Sequence, residues 1–190
     1  MKEAIARRYT QLRSALPDGG RVTLLHIGAQ QTAVASGVGL EPDATHVLAL
    51  GATKTAADYF RHMPPTPVEL ENAIMAVEDE LMGVRALAGS ASVLCTHDPA
   101  LRAIALLAGV TDGAELTLSV EAVERLFDLL SAFVLGRPAS SAGIPGDTTF
   151  AATLLILREF MHHLQFASIR VSTPQGPLGG LAGMDGGGVE

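Results

Sequence analysis

The stretch from Thr148 to Leu164 constrains this chain more than any other. It has the length of a helix and is apolar on most faces, so no single neighbouring element can cover it. Such a helix belongs at the centre of a layered fold. It does not read as a membrane span, because that takes about 20 consecutive apolar residues and Arg158 and Glu159 interrupt this one. The cover must come from the rest of the chain. Its 190 residues, 48% of them hydrophobic, suffice for one sizeable core and are too few for two ordinary domains. That hydrophobic share also excludes intrinsic disorder as the general state.

Ahead of this helix the hydrophobic period changes more than once. From Lys2 to Leu16, the residues Ile5, Tyr9, Leu12 and Leu16 form one helical stripe, which Pro17-Asp18-Gly19-Gly20 ends. Three β-rich runs follow, Val22 to Ile27, Thr32 to Ser36 and His46 to Leu50. Gly28 and then Leu40-Glu41-Pro42-Asp43 separate them, and connections this short predict an antiparallel meander. After Gly51 the period becomes that of a helix. Helices are predicted over Thr53 to His62, from Thr66 through Leu81, from Pro99 to Ala108 and from Ser119 to Val134. Thr66-Pro67-Val68-Glu69 reads as a capping box with proline at the first helical position. Asp98-Pro99 is a second N-cap signal. Ser92 to Cys95 and Ala167 to Ser172 complete five strands. The predicted class is α/β, a mixed five-stranded sheet with helices on both faces. Residues 1–20 form an N-terminal helix, 21–181 the lobe, and 182–190 a glycine-rich tail expected to be flexible.

Charge narrows the partners. Thirteen Lys and Arg stand against twenty Asp and Glu, a formal net charge of -7, and the basic residues are scattered apart from Arg7 and Arg8. A nucleic-acid binder needs a clustered basic face, so none is expected. No membrane partner is expected either. The opening MKEAIARRYTQLRS is broken by charges and does not read as a signal peptide. The single cysteine makes no internal disulfide, which points to a cytoplasmic setting.

Several segments, taken in order, carry a resemblance. His26-Ile27-Gly28-Ala29-Gln30-Gln31-Thr32 follows a β-rich run, and Leu48-Ala49-Leu50-Gly51-Ala52 leads into a helix. Thr96-His97-Asp98, Leu116-Thr117 and Pro145-Gly146-Asp147 stand near helix starts. Ile169-Arg170-Val171-Ser172 precedes Gly176-Pro177-Leu178-Gly179-Gly180-Leu181. Together they resemble the second lobe of the exopolyphosphatase and guanosine-pentaphosphate phosphatase family (Ppx/GppA-like), in the actin, sugar-kinase and Hsp70 superfamily. The family's first loop reads Asp-Ile-Gly-Gly-Gly-Ser-Thr, its next strand ends in Leu-x-Leu-Gly-Ala, and its second loop is Gly-Gly-Thr. The resemblance implies a single ribonuclease-H-like (actin-like ATPase) lobe. It also implies a place for a phosphate-containing ligand at His26, Gly28, Gln30, Gln31, Thr32, Thr96 and His97.

The catalytic parts of that pattern are altered. Glycines let backbone N–H groups approach a phosphate closely, and two of the three in the first loop are replaced by Ala29 and Gln30. The acidic residue that helps the family hold a metal is His26, and the second loop keeps neither glycine. Nothing in these 190 residues matches the family's first lobe. The expectation is therefore a non-catalytic binding or assembly protein without a cofactor. The alternative is a phosphatase or nucleotide-binding enzyme whose cleft a homodimer completes, and magnesium enters only there.

Plainer readings compete at each site. His26, Gln30, Gln31 and Thr32 also suit a polar β-turn, and that reading is preferred. Cys95-Thr96-His97-Asp98 holds nucleophile, base and acid types, yet nucleophilic catalysis needs them within hydrogen-bond reach. Cys95 reads better as a small buried hydrophobe and Asp98 as an N-cap. His162 and His163 are adjacent, so their side chains diverge by about 100° and lack the spacing of a zinc pair. Glu71, Glu78, Asp79 and Glu80 read as a solvated helix face. A homodimer is expected because the helix at Thr148 to Leu164 and the stripe Val123, Leu126, Leu130, Phe133 are hard to cover within one lobe.

Overall fold

A computed structural model describes residues 1–16, 19–87, 91–137 and 143–173. The elements run α1 (Lys2–Ala15), β1 (Arg21–Ile27), β2 (Thr32–Gly37), β3 (Ala44–Leu48), α2 (Ala52–Tyr59) and α3 (Pro67–Leu81). A 3-10 turn at Met82–Leu87 leads towards β4 (Ser92–Thr96). Then come α4 (Pro99–Leu107), β5 (Glu115–Ser119), α5 (Val120–Val134), α6 (Thr148–His163) and β6 (Ser168–Ser172). The predicted tail and the match at Gly176 to Leu181 lie outside the described residues.

The sheet order is β3-β2-β1-β4-β6-β5. β1, β2 and β3 form the predicted antiparallel meander, β1, β4 and β6 run parallel, and β5 returns antiparallel on β6. The sheet therefore has six strands, one more than predicted. β5 alternates Leu116 and Leu118 inward with Glu115 and Thr117 outward. In sequence it merges with the following helix, because Ser119 both ends the strand and caps α5, its side chain accepting from Ala122 N. Short edge strands that abut a helix start lose their period to it.

Two hydrophobic clusters lie on opposite faces of the sheet. The larger packs α2 to α6 against Leu25, Ile27, Val34, Leu94, Ile169 and Val171. At its centre Leu154, Leu155, Ile156 and Leu157 are all 0% exposed. Four consecutive helical residues point in four directions, so α6 is covered on all sides, as its composition requires. On the other face α1 sets Ile5, Tyr9 and Leu12 against Val22, Leu24, Ala33, Ala35 and Cys95. The open remainder of that face carries exposed Glu115, Thr117 and Arg170 beside Val93. The stripe expected to be hard to cover within one lobe is covered by the chain itself: Val123, Leu126 and Leu130 are buried and Phe133 is half-buried.

The Thr66 capping box forms with both reciprocal bonds. Glu69 also accepts from His62 Nδ1 and Arg61 N. These bonds, that from Thr66 foremost, lower its pKa to about 2.

Candidate functional site

β1 and β4 are parallel neighbours, with Leu24 beside Cys95, so their carboxyl ends open at the same edge, where α/β sheets place ligands. β1 runs on past this pairing, and Ile27 N finds its acceptor in the side chain of Asp98. It donates to Asp98 Oδ2 at 2.7 Å, while His26 Nδ1 lies 2.5 Å from Asp98 Oδ1. Asp98 N in turn donates to Thr96 Oγ1 at 3.1 Å. Asp98 occupies the expected N-cap position of α4, but its side chain makes no cap bond. The carboxylate reaches across to β1 instead, because a buried N–H left without an acceptor is more costly than an uncapped helix end.

The loop after β1 closes on itself. Gly28 N donates to Gln31 O at 3.0 Å. A Cβ on Gly28 would stand 2.8 Å from Gln31 O and 3.4 Å from His26 Nε2, so only glycine lets the turn close here. Beyond it, Ala52 N donates to Gly28 O, and Thr53 N and Lys54 N both donate to Ala29 O, at 2.9–3.0 Å. The first N–H groups of α2 are therefore satisfied by loop carbonyls. Gly51 allows that approach, since a Cβ there would fall 2.4 Å from Gln30 C.

Of the predicted residues, the structure brings His26, Gly28 and Thr96 together around Asp98. Gln30 and Gln31 are exposed on the loop. Thr32 is buried, and its Oγ1 has no hydrogen-bond partner. His97 is half-buried. Burial lowers its pKa, the Asp98 charge opposes this, and Arg8 adds to it. The Cys95-Thr96-His97-Asp98 string does not assemble as a nucleophile with its base. Burial pushes the Cys95 thiol up to about 11, its Sγ faces Val93 O, and Asp98 pairs with His26. Reactive cysteines need the opposite environment.

The link from Asp98 to His26 and Ile27 is what sequence reasoning missed at this edge. Its signal was a histidine ending one strand and an aspartate following another, which become partners only once β1 and β4 are known to be adjacent. Magnesium, which the hydrolytic alternative brings, binds hard oxygens at near-octahedral geometry. Asp98 is the one carboxylate in this group of residues and both its oxygens are committed to nitrogen partners. These residues do not fit a magnesium site.

No family model matches the chain, and no curated protein does. Solved structures do. The Ppx/GppA enzyme of Aquifex aeolicus superposes with a TM-score of 0.70 at 18% identity, over 87% of this chain and 57% of its own. An exopolyphosphatase from Cytophaga hutchinsonii gives 0.69 at 14%, over 90% and 59%. An exopolyphosphatase-like protein gives 0.68 at 13%, over 88% and 62%. Among the described residues no helix is long and apolar enough to cross a membrane. The chain thus spans about three-fifths of the length of the structures it matches, and it has the fold of the corresponding part of these Ppx/GppA-like structures.

Proposed function

We propose that this chain is a non-catalytic binding or assembly protein built on a Ppx/GppA-like lobe and working in the cytoplasm. One observation carries the reading. A phosphate at the strand ends would be held by outward N–H groups of the loop and of the following helix N-terminus. Here Gly28 N is bonded to Gln31 O, and Ala52, Thr53 and Lys54 donate to Gly28 and Ala29 carbonyls. The donors are turned inward to fasten α2 to β1.

Assembly would use the side of α3 and α5. A groove of about 260 Å3 there is lined by Leu70, Ile74, Phe127 and Val134, and Val68, Met75 and Leu135 stand exposed nearby in sequence, Leu135 at 76%. We assign a second copy of the chain to this surface, since two-fold dimers are the commonest closed assembly. Light scattering would show twice the 19.7 kDa chain mass, and a monomer mass would reject the dimer.

A second reading is favoured by the His26–Asp98 pair. An imidazole held through Nδ1 by a carboxylate leaves Nε2 available for proton transfer. On that reading a homodimer completes a phosphatase cleft, and the second copy supplies the groups that bind metal. The two readings separate in one assay with polyphosphate, guanosine pentaphosphate and ATP in magnesium. The non-catalytic reading expects no turnover above buffer. Turnover lost in both His26→Ala and Asp98→Asn overturns it and establishes the second.

A further inference from the structure

Away from the loop at Gly28 to Thr32, Glu78, Glu159 and His163 bring three metal-binding atoms within 4.8 Å of one another. Glu159 and His163 are four residues apart on α6 and so share one helix face, while Glu78 reaches them from α3. His163 Nε2 lies 3.2 Å from Glu78 Oε1 and 3.4 Å from Glu159 Oε2. A ring nitrogen carries at most one proton, so it cannot serve two carboxylates fully. Both separations are longer than the roughly 2.7–2.9 Å of a charge-assisted hydrogen bond. They match the edge of a coordination tetrahedron, because ligands about 2.0–2.1 Å from zinc stand about 3.3–3.4 Å apart.

Burial points the same way. Glu159 is 2% exposed, and a carboxylate taken that deep is costly unless both oxygens are well partnered. Arg158 holds Oε1 and is itself fixed by Glu124 at 2.9 Å. Among the described residues, the ion-pair partner of Oε2 is the nitrogen that Glu78 also claims. The inner ligand is thus oriented from behind by an arginine, in the way outer partners orient metal-binding carboxylates. Glu78 and His163 are partly exposed, which leaves an entry path and a coordination position for water.

We propose that Glu78, Glu159 and His163 form a site for a zinc-class divalent cation that clamps α3 to α6. Imidazole with two carboxylates suits zinc or cobalt better than magnesium or calcium. The site is independent of the proposed function.

The test uses untagged, chelator-stripped full chain and calorimetric titration with Zn2+. One equivalent should bind, and His163→Ala and Glu78→Gln should each weaken it at least tenfold, whereas His97→Gln leaves it unchanged. Co2+ should give the visible absorption of a tetrahedral site in wild type and lose it in the two ligand variants. Glu78 is a partly exposed surface side chain, so Glu78→Gln keeps the test decisive should His163→Ala fail to fold. No stoichiometric binding, affinity unchanged in Glu78→Gln, or binding lost in His97→Gln each overturns the site.

Discussion

Asp98→Ala should cost more than a typical substitution at a helix N-cap, which is about 1 kcal/mol. The change removes the acceptor of Ile27 N, a buried backbone donor bonded at 2.7 Å, and an orphaned buried donor costs about 1–3 kcal/mol. It also removes the 2.5 Å contact to His26, which adds less because that ring is partly exposed and solvent can replace the bond. The sum is roughly 2–3 kcal/mol, or about 5–10 °C in Tm for a chain of this size. His26→Ala leaves Asp98 on Ile27 N and should cost under about 1.5 kcal/mol. Asp98→Asn keeps an acceptor for Ile27 N and can donate to Nδ1 of His26, so it should fall near 1 kcal/mol. Urea unfolding of the three variants measures this, provided the m-value stays constant so that a midpoint shift reports stability alone. Asp98→Ala within about 0.5 kcal/mol of wild type would refute the reasoning, since surface-like changes cost no more than that. A His26→Ala cost equal to that of Asp98→Ala would refute the weight given to Ile27.

Three further outcomes follow, two of them from the same region. Gly51→Ala puts a Cβ 2.4 Å from Gln30 C and 2.5 Å from Ala29 O, both backbone, so the loop must move off α2; thermal melting should show a loss of about 1–3 kcal/mol, and an unchanged Tm would mean that the loop is not fastened there. Burial lowers the His97 pKa, so the folded chain binds fewer protons at that site than the unfolded one; stability is full above about pH 6.5 and falls as pH drops through it. Urea midpoints across that range should decline in wild type and flatten in His97→Gln. The Glu69 carboxylate, held at about 2, contributes above its unfolded pKa and is lost only as pH falls from about 4.3 towards 2.

What could be read from the sequence was whatever depends on neighbours along the chain. The α6 core position follows from apolar residues on every face, the α3 start from Thr66 and Glu69, and the meander from three short connections. β5 was not legible because five residues of alternation ran into a helix cap at Ser119. The bond from Asp98 to Ile27 was not legible for a different reason. Proline after Asp98 is a sound signal for a helix start, and it gave the right position with the wrong job, since the carboxylate answers a donor 71 residues away. The Glu78, Glu159 and His163 cluster is of the same kind. The four-residue spacing between Glu159 and His163 is a local signal, but Glu78 joins them only after α3 packs on α6.

These two failures share a physical cause that also bears on function. A polar side chain whose partner is local can be read from spacing, whereas one answering a distant unmet donor or charge is visible only in three dimensions. At the β1 end the unmet groups are Ile27 N and the first N–H groups of α2. Asp98 and the carbonyls of Gly28 and Ala29 meet them from within the chain. A helix N-terminus satisfied in this way has its positive end matched by neutral dipoles and has little left for an incoming anion. On the proposed non-catalytic reading, the edge where a sheet of this kind would receive a ligand serves instead to hold β1, β4 and α2 in register. The Glu159 end of α6 is the reverse case: two carboxylates converge on one ring nitrogen, Arg158 meets Oε1 of Glu159, and the proposed cation would offset the charge that remains.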